Sequence, residues 1–254
     1  MNANRDSIPS NMEELRNALL SDSLSFEEAE EIQNRCREII FKQKTELISL
    51  KNIRKIVGVD LSYKKRGNIE YGVSCASLWN LASNNLEFST FAFGEVKFPY
   101  EPGFLGFRES KLLSEAINKL QVKPDLIMCD GHGIIHPKRF GEAVQLGFAL
   151  NIPSIGIAKN PFIGFSQWKQ LERKKGNKNP IFDIKPNDEN VKKPNLLGYS
   201  LCLNDGMKPI FISKGYKITL DLAIKVALET TKIHRLPEPL FLADRLSREK
   251  LNII

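Results

Sequence analysis

Cysteine and histidine are scarce in this 254-residue chain, and the few present are scattered. Cys36, Cys75, Cys129 and Cys202 stand far apart without the paired spacing of a metal site, and Cys129 lies inside an apolar run. They read as free, buried thiols. His132 and His136 are four apart, but glycines flank the first of them and His234 is remote, which argues against zinc. No segment approaches the ~20 apolar residues of a membrane span, and no long apolar run follows the charged N-terminal residues Arg5, Glu13, Glu14 and Arg16. A cytoplasmic protein with no membrane partner is therefore expected. Internal repeats and low-complexity tracts are lacking. Acid is in deficit: 37 Lys and Arg against 30 Asp and Glu leave a net charge of +7, a balance that suits a polyanion such as nucleic acid.

The stretch 124–159, PDLIMCDGHGIIHPKRFGEAVQLGFALNIPSIGIAK, organises what is present. Leu126 to Cys129 has the texture of a strand buried on both faces, and it stops at Asp130. Gly131 and Gly133 follow, where backbone can approach a ligand or take positive φ. A helix is expected from about Lys138 to Leu150, and a second strand over Pro153 to Ala158 ends at Lys159. Strand, helix, strand is a βαβ unit with parallel strands. Ligands of such sheets bind beyond the carboxyl ends of the strands, where Asp130 and Lys159 are expected to meet. The length suits one large core, so a single α/β domain is expected, a mixed sheet flanked by helices spanning 25–254.

Residues 1–24 read as a loosely ordered lead-in. Ser25 and Glu28 make a capping box for a long amphipathic helix, Phe26 to Ser49. Arg54 to Tyr63 is a buried strand carrying Asp60 near its end, with Tyr71 to Leu81 and Phe88 to Phe98 as antiparallel neighbours. In PYEPGFLGFRES the two prolines stiffen a loop that presents Tyr100. The helix that follows, Phe104 to Leu120, places Glu109 on its apolar stripe. A carboxylate there is costly unless a cation meets it: either a buried ion pair, with Arg108 or another arginine, or a ligand position. Gln167 to Lys193 reads as a polar, basic loop, and its run Arg173, Lys174, Lys175, Lys178 as a solvated face or, secondarily, a DNA-tracking patch. A hairpin follows (Asn195 to Asn204 with Pro209 to Lys214), then a helix capped by Thr219 and running to Lys232. Pro237 and Pro239 break the chain before a short basic helix.

Adjacent parallel strands lie ~4.8 Å apart, so two strand-end carboxylates can share one cation. Oxygen ligands without paired Cys or His suit Mg²⁺ or Mn²⁺, which assist phosphoryl chemistry. Lys159 is placed to hold a phosphate. Acids at strand ends also occur in phosphatases, in response-regulator-like domains and as plain helix caps. His136 before Pro137 suits a helix entry with a hydrogen bond to a nucleic-acid backbone, and Lys138 and Arg139 suit phosphate contact or plain solvation.

GVDLSY, PYEPGFLGFRES, PDLIMCDGHGIIHPKRFG and IPSIGIAK, in this order, resemble the endonuclease V family, and the likeness continues to RLPEPLFLADRLSRE near the C-terminus. That resemblance implies an RNase H-like fold and a DNA repair endonuclease that recognises deoxyinosine and hydrolyses the second phosphodiester on its 3′ side. It implies that Asp60, Asp130 and Glu109 hold the divalent metal, Mg²⁺ with Mn²⁺ as substitute, while Lys159 assists at the phosphate. Tyr100 is implied as a wedge that fills the gap left by a flipped base. The base pocket would be built from Gly103, Leu105, Gly131 and Gly133, with Pro102 as a further substrate contact. Nucleic acid is the expected partner, and a monomer the expected state. The family usually has Gln at the place of His132, and His at the place of Tyr216 in SKGYKIT, near the metal water or a phosphate. Inosine-containing single-stranded RNA is the alternative substrate, and an inosine-binding protein that no longer cuts the alternative function.

Overall fold

A computed structural model describes residues 11–42, 46–185 and 193–253. In chain order the elements are α1 (Met12–Ala18), α2 (Phe26–Lys42), β1 (Lys55–Arg66), β2 (Ile69–Asn80), β3 (Asn85–Glu95), α3 (Leu105–Asn118), β4 (Leu126–Cys129), α4 (Glu142–Leu150), β5 (Ser154–Ala158), β6 (Lys178–Phe182), β7 (Leu196–Leu201), β8 (Ile210–Lys214), α5 (Leu220–Glu229) and α6 (Glu238–Ile253). The strands form one mixed sheet ordered β3-β2-β1-β4-β5-β8-β7-β6. Only β1, β4 and β5 run parallel to one another; the other pairings are antiparallel. This is a single-domain α/β fold, as the apolar texture of β1, β4 and β5 indicates.

Both faces of the central strands are covered, which is why these strands are apolar without alternation. On one face Ile56, Met128, Ile155 and Ile157 pack under Ala223, Ile224 and Leu240 of α5 and α6. On the other, Val57, Val59, Ile127 and Cys129 pack under Leu112 and Leu113 of α3 and Ala143 and Leu146 of α4. Register follows from this packing: Val59 lies opposite Cys129, so the residues after them, Asp60 and Asp130, emerge side by side.

Several expected boundaries move. The lead-in is not loose from Asn11 onward: Asn11 caps α1, and Leu15 and Leu19 bury fully against α2 and α4. Burying two leucines is worth about 3–6 kcal/mol, enough to hold a two-turn helix that could not stand alone. The capping box at Ser25 and Glu28 forms in both directions, but α2 is followed only to Lys42. Residues 1–10 of the lead-in, 43–45 of the expected long helix and 186–192 of the expected basic loop lie outside the described residues. The helix expected from Lys138 starts at Glu142 instead. Before it, residues 131–141 form a knotted turn closed by Gly141 N–H to Gly133 O at 3.1 Å, with Arg139 at φ 55°. Lys138 and Arg139 therefore do not sit at a helix N-terminus. The basic segment contains a strand, β6, that adds to the sheet edge through β7. The last helix is long, not short, because Pro239 occupies its first turn, where its missing N–H is not needed.

The placement of α6 depends on Gly58 of β1. A Cβ at Gly58 would collide with the Pro239 carbonyl, so the absent side chain lets the helix N-terminus lie directly on the strand. Ser77 of β2 donates its hydroxyl hydrogen bond to the same carbonyl and fixes the contact.

Candidate active site

Asp60 lies in β1 one residue beyond its last pairing with β4, Asp130 follows β4, and Asp244 comes down from the second turn of α6. One carboxylate oxygen from each lies within 4.8 Å of the others, and all three side chains are partly buried. The sequence reading named Glu109 as the third acid; the group whose oxygens converge here is closed by Asp244. Its inward position was legible, because Asp244 stands four residues after Leu240 and seven before Leu251 on the buried stripe of α6.

Lys159, after β5, hydrogen-bonds Asp130 and stands 3.7 Å from Asp244, so the meeting of Asp130 with Lys159 is realised. Ser247 of α6 donates to Asp60 Oδ2 at 3.0 Å, and Arg248 pairs with Asp244. Burial, then the neighbouring carboxylates of Asp130 and Asp244, push Asp60 well above the usual range. Asp130 is raised by burial against the opposing pull of Lys159. Burial disfavours the Lys159 ammonium, but Asp130 outweighs it and the lysine pKa rises. The crowding of carboxylates thus favours uptake of a proton or a cation by the cluster.

Oxygen ligands on one Mg²⁺ lie about 3 Å apart when adjacent and about 4.2 Å when opposed, given ~2.1 Å bonds. Three carboxylate oxygens within 4.8 Å fit such an ion after each moves inward by at most about 1 Å. The donor set, all hard oxygen and anionic, suits Mg²⁺ or Mn²⁺ rather than zinc.

Glu109 lies behind this group, buried on the inner face of α3. Tyr63 donates its hydroxyl to Glu109 Oε1, and the carboxyl of Glu142, from the start of α4, packs against it. Burial raises Glu109 to about 7, with the Tyr63 and Glu142 hydrogen bonds pulling the other way. Glu142 is raised well above its ordinary value by burial and by Glu109, so a proton at neutral pH resides on this pair. The ion pair with Arg108 does not form: that guanidinium turns to Glu70 and to Phe98 O.

A cavity of about 400 Å³ opens beside Asp130 and Lys159. Tyr100, Pro102, Gly103, Leu105, Gly131 and His136 line it. Tyr100 is 68% exposed at its mouth, on a loop held by the buried stack of Phe98 on Phe107. Gln33 of α2 braces two walls at once, donating Nε2 to Gly103 O at 3.2 Å and Phe140 O at 3.0 Å. His136 accepts the Lys138 N–H on Nδ1, which leaves Nε2–H to donate to Gly103 O.

Four expected substrate residues lie elsewhere. Gly133 packs on the Lys214 backbone, where no Cβ fits, and its role is close packing. Lys138 pairs with Glu30 and Arg139 with Asp183, so both are engaged within the protein. Tyr216 is buried against Phe148, its N–H bonded to Ser154 Oγ, remote from the acids in the packing of α1, α2 and α4. His132 lines the base-sized cavity, and burial lowers it to about 4, so it is neutral.

The family model described as Endonuclease V matches residues 36–245. An endonuclease V of Dictyoglomus turgidum is 36% identical over 228 residues, 89% of this chain and 91% of that one. The crystal structure of the Streptomyces avermitilis endonuclease V superposes with a TM-score of 0.77 at 32% identity, covering 90% of this chain and 94% of that chain. The Ciona intestinalis endonuclease V, solved in complex with a 24mer DNA containing an inosine followed by a ribo-adenosine, gives a TM-score of 0.78 at 27% identity, covering 89% and 98%. Matching sequence over most of its length and a matching fold together place this chain in the endonuclease V family.

Proposed function

We propose that this chain is a metal-dependent nuclease directed to inosine in nucleic acid, and that it cuts the second phosphodiester on the 3′ side of the lesion. The observation that carries the reading is the convergence of Asp60, Asp130 and Asp244 beside a cavity of ligand size, with Lys159 between the two. A Mg²⁺ or Mn²⁺ ion held by the three carboxylates would neutralise charge on the scissile phosphate and acidify a bound water. The chain's own groups prepare the site for that chemistry. Ser247 fixes the orientation of Asp60, and the Lys159 ammonium faces a phosphate oxygen once substrate displaces it from Asp130. Glu109, raised by burial and sharing a proton with Glu142, stands behind the acidic set and can hold or release a proton.

Recognition follows from the cavity. A base extruded from the stack enters between the 102–105 backbone and Gly131, whose main-chain groups reach its polar edge. Tyr100 fills the vacated place in the duplex. The net charge of +7 favours the approach of a polyanion.

The test is nicking of an inosine-containing duplex in Mg²⁺ against EDTA. Asp60→Ala and Asp130→Ala are expected to abolish nicking while binding survives; nicking that persists in either variant, or in EDTA, refutes the reading. A second substrate is favoured by the Ciona complex, whose inosine is followed by a ribonucleotide. Oligomers of one sequence as DNA, RNA and a chimera with a single 2′-hydroxyl would rank the two. A protein that binds without cutting is disfavoured, because Tyr216 lies away from the acids and leaves them complete.

A further inference from the structure

The chain beyond Lys159 carries two exposed aromatic rings that the site just described does not use together. Phe162 is 40% exposed and closes one side of the base-sized cavity, its ring 5.7 Å from that of His132. Three residues on, Phe165 is 50% exposed, yet its backbone is pinned. It exchanges hydrogen bonds with Phe182 of β6 in both directions, at 2.8 and 3.0 Å, and Gly164 before it takes φ +95° to turn the chain into that bridge. A half-exposed ring on a fixed backbone has little entropy to lose on contact.

Phe165 lines a trough of about 520 Å³ together with Ser166, Gln167, Asn179, Phe182 and Lys185. A smaller cleft of about 210 Å³ shares Pro161 and Phe162 with the base cavity and Ser166 with the trough. The lining is an aromatic floor with amide groups, one cation and no acid. The acid nearest in sequence, Asp183, is engaged by Arg139 and Asn195. The Ser166 hydroxyl oxygen is buried there without a hydrogen-bond partner. Such a surface suits an unpaired base, which stacks on the ring and offers polar edges to the amides, with its phosphate at the lysine.

We propose that this trough is a second nucleotide subsite, in which Phe165 stacks a base of the lesion-bearing strand while Lys185 holds its phosphate. Phe162 and Phe165 are separated by at most about 10 Å of chain. At ~3.4 Å per stacked nucleotide, the captured base lies within about three positions of the extruded one. The inference rests on the nucleic-acid reading above and adds to it a place where the strand is held outside the cutting centre.

The experiment uses the full chain with its acids intact, Ca²⁺ in place of Mg²⁺, and single-stranded inosine oligonucleotides carrying 2-aminopurine at successive positions on either side of the lesion. Stacking on Phe165 is expected to change the fluorescence at one position within that range, and Phe165→Ala to remove the change there and nowhere else. Phe165→Ala is expected to weaken binding roughly 5- to 100-fold, with Phe165→Trp restoring it. Lys185→Ala is expected to reduce the slope of log affinity against log salt by about 0.7, the loss of one phosphate contact on a single strand. A fluorescence profile identical in the unsubstituted chain and Phe165→Ala, with an unchanged salt slope in Lys185→Ala, overturns the subsite. Failure of the unsubstituted chain to prefer inosine strands at all would instead overturn the lesion reading on which it rests.

Discussion

Three carboxylates gathered at the rim of a sheet should make the folded protein respond to divalent cations before any substrate is added. Two unit charges 4.8 Å apart repel by about 3.5 kcal/mol at an effective dielectric of 20, and the oxygens of Asp60, Asp130 and Asp244 all lie within that distance of one another. Lys159 offsets part of this through Asp130 and, more weakly, Asp244. A cation that binds the folded state alone, present at 100 times its Kd, stabilises it by ~2.7 kcal/mol. For a chain of this length that corresponds to a rise in melting temperature of about 5–10 °C. Asp244→Asn removes one anionic ligand and should cut the rise to about 2 °C or less at the same Mg²⁺ concentration. Calorimetry at pH 8 in Mg²⁺, in EDTA and in NaCl of matched ionic strength reads all of this. Equal rises in the unsubstituted chain and in Asp244→Asn, or a rise that NaCl reproduces, would refute the argument that these acids share one ion.

Three further outcomes follow from the geometry. Tyr100→Ala should weaken binding to an inosine duplex by roughly 5- to 100-fold while leaving a single-stranded inosine oligomer nearly unaffected, as titration of both by anisotropy would register. His136 is held by burial at about 4, below its ordinary 6.5, so between those values the unfolded chain takes up a proton that the folded chain refuses. Its contribution is complete above pH 6.5 and lost as pH falls toward 4: urea unfolding should show about 2 kcal/mol less stability at pH 5 than at pH 7 from this residue, and His136→Gln should flatten that part of the slope. Gly58→Ala forces a Cβ into the Pro239 carbonyl, so it should cost about 1–3 kcal/mol and, by displacing α6 with Asp244, depress nicking more than its stability loss explains; full activity would show that α6 tolerates the shift.

What the sequence discloses and what it hides have physical causes. The βαβ unit and the pairing of Asp130 with Lys159 were legible because parallel strands covered on both faces are continuous apolar runs, and such runs stop where the chain leaves the core. The antiparallel flank was legible for the same kind of reason, in β-branched and aromatic residues. Strand β6 was not, since an edge strand reading KNPIF, with a proline and little burial, carries no apolar signature. Helix α1 hid behind charged residues: only Leu15 and Leu19 are fully buried, too few to show a period. Asp244 escaped because two prolines precede it, although one of them merely begins the helix. Tyr216 was assigned to the site by resemblance alone, and the structure packs its ring against Phe148.

One amide on α2 reaches both jaws of the base cavity. Gln33 joins a loop 70 residues away to another 107 residues away, through two carbonyls, from a helix that contributes nothing to the sheet. On the proposed reading, the aperture for an extruded base is therefore gauged by a residue that lies outside the acidic cluster. Selection, or an engineer, can widen or narrow the entrance by altering that helix and leave the hydrolytic apparatus untouched.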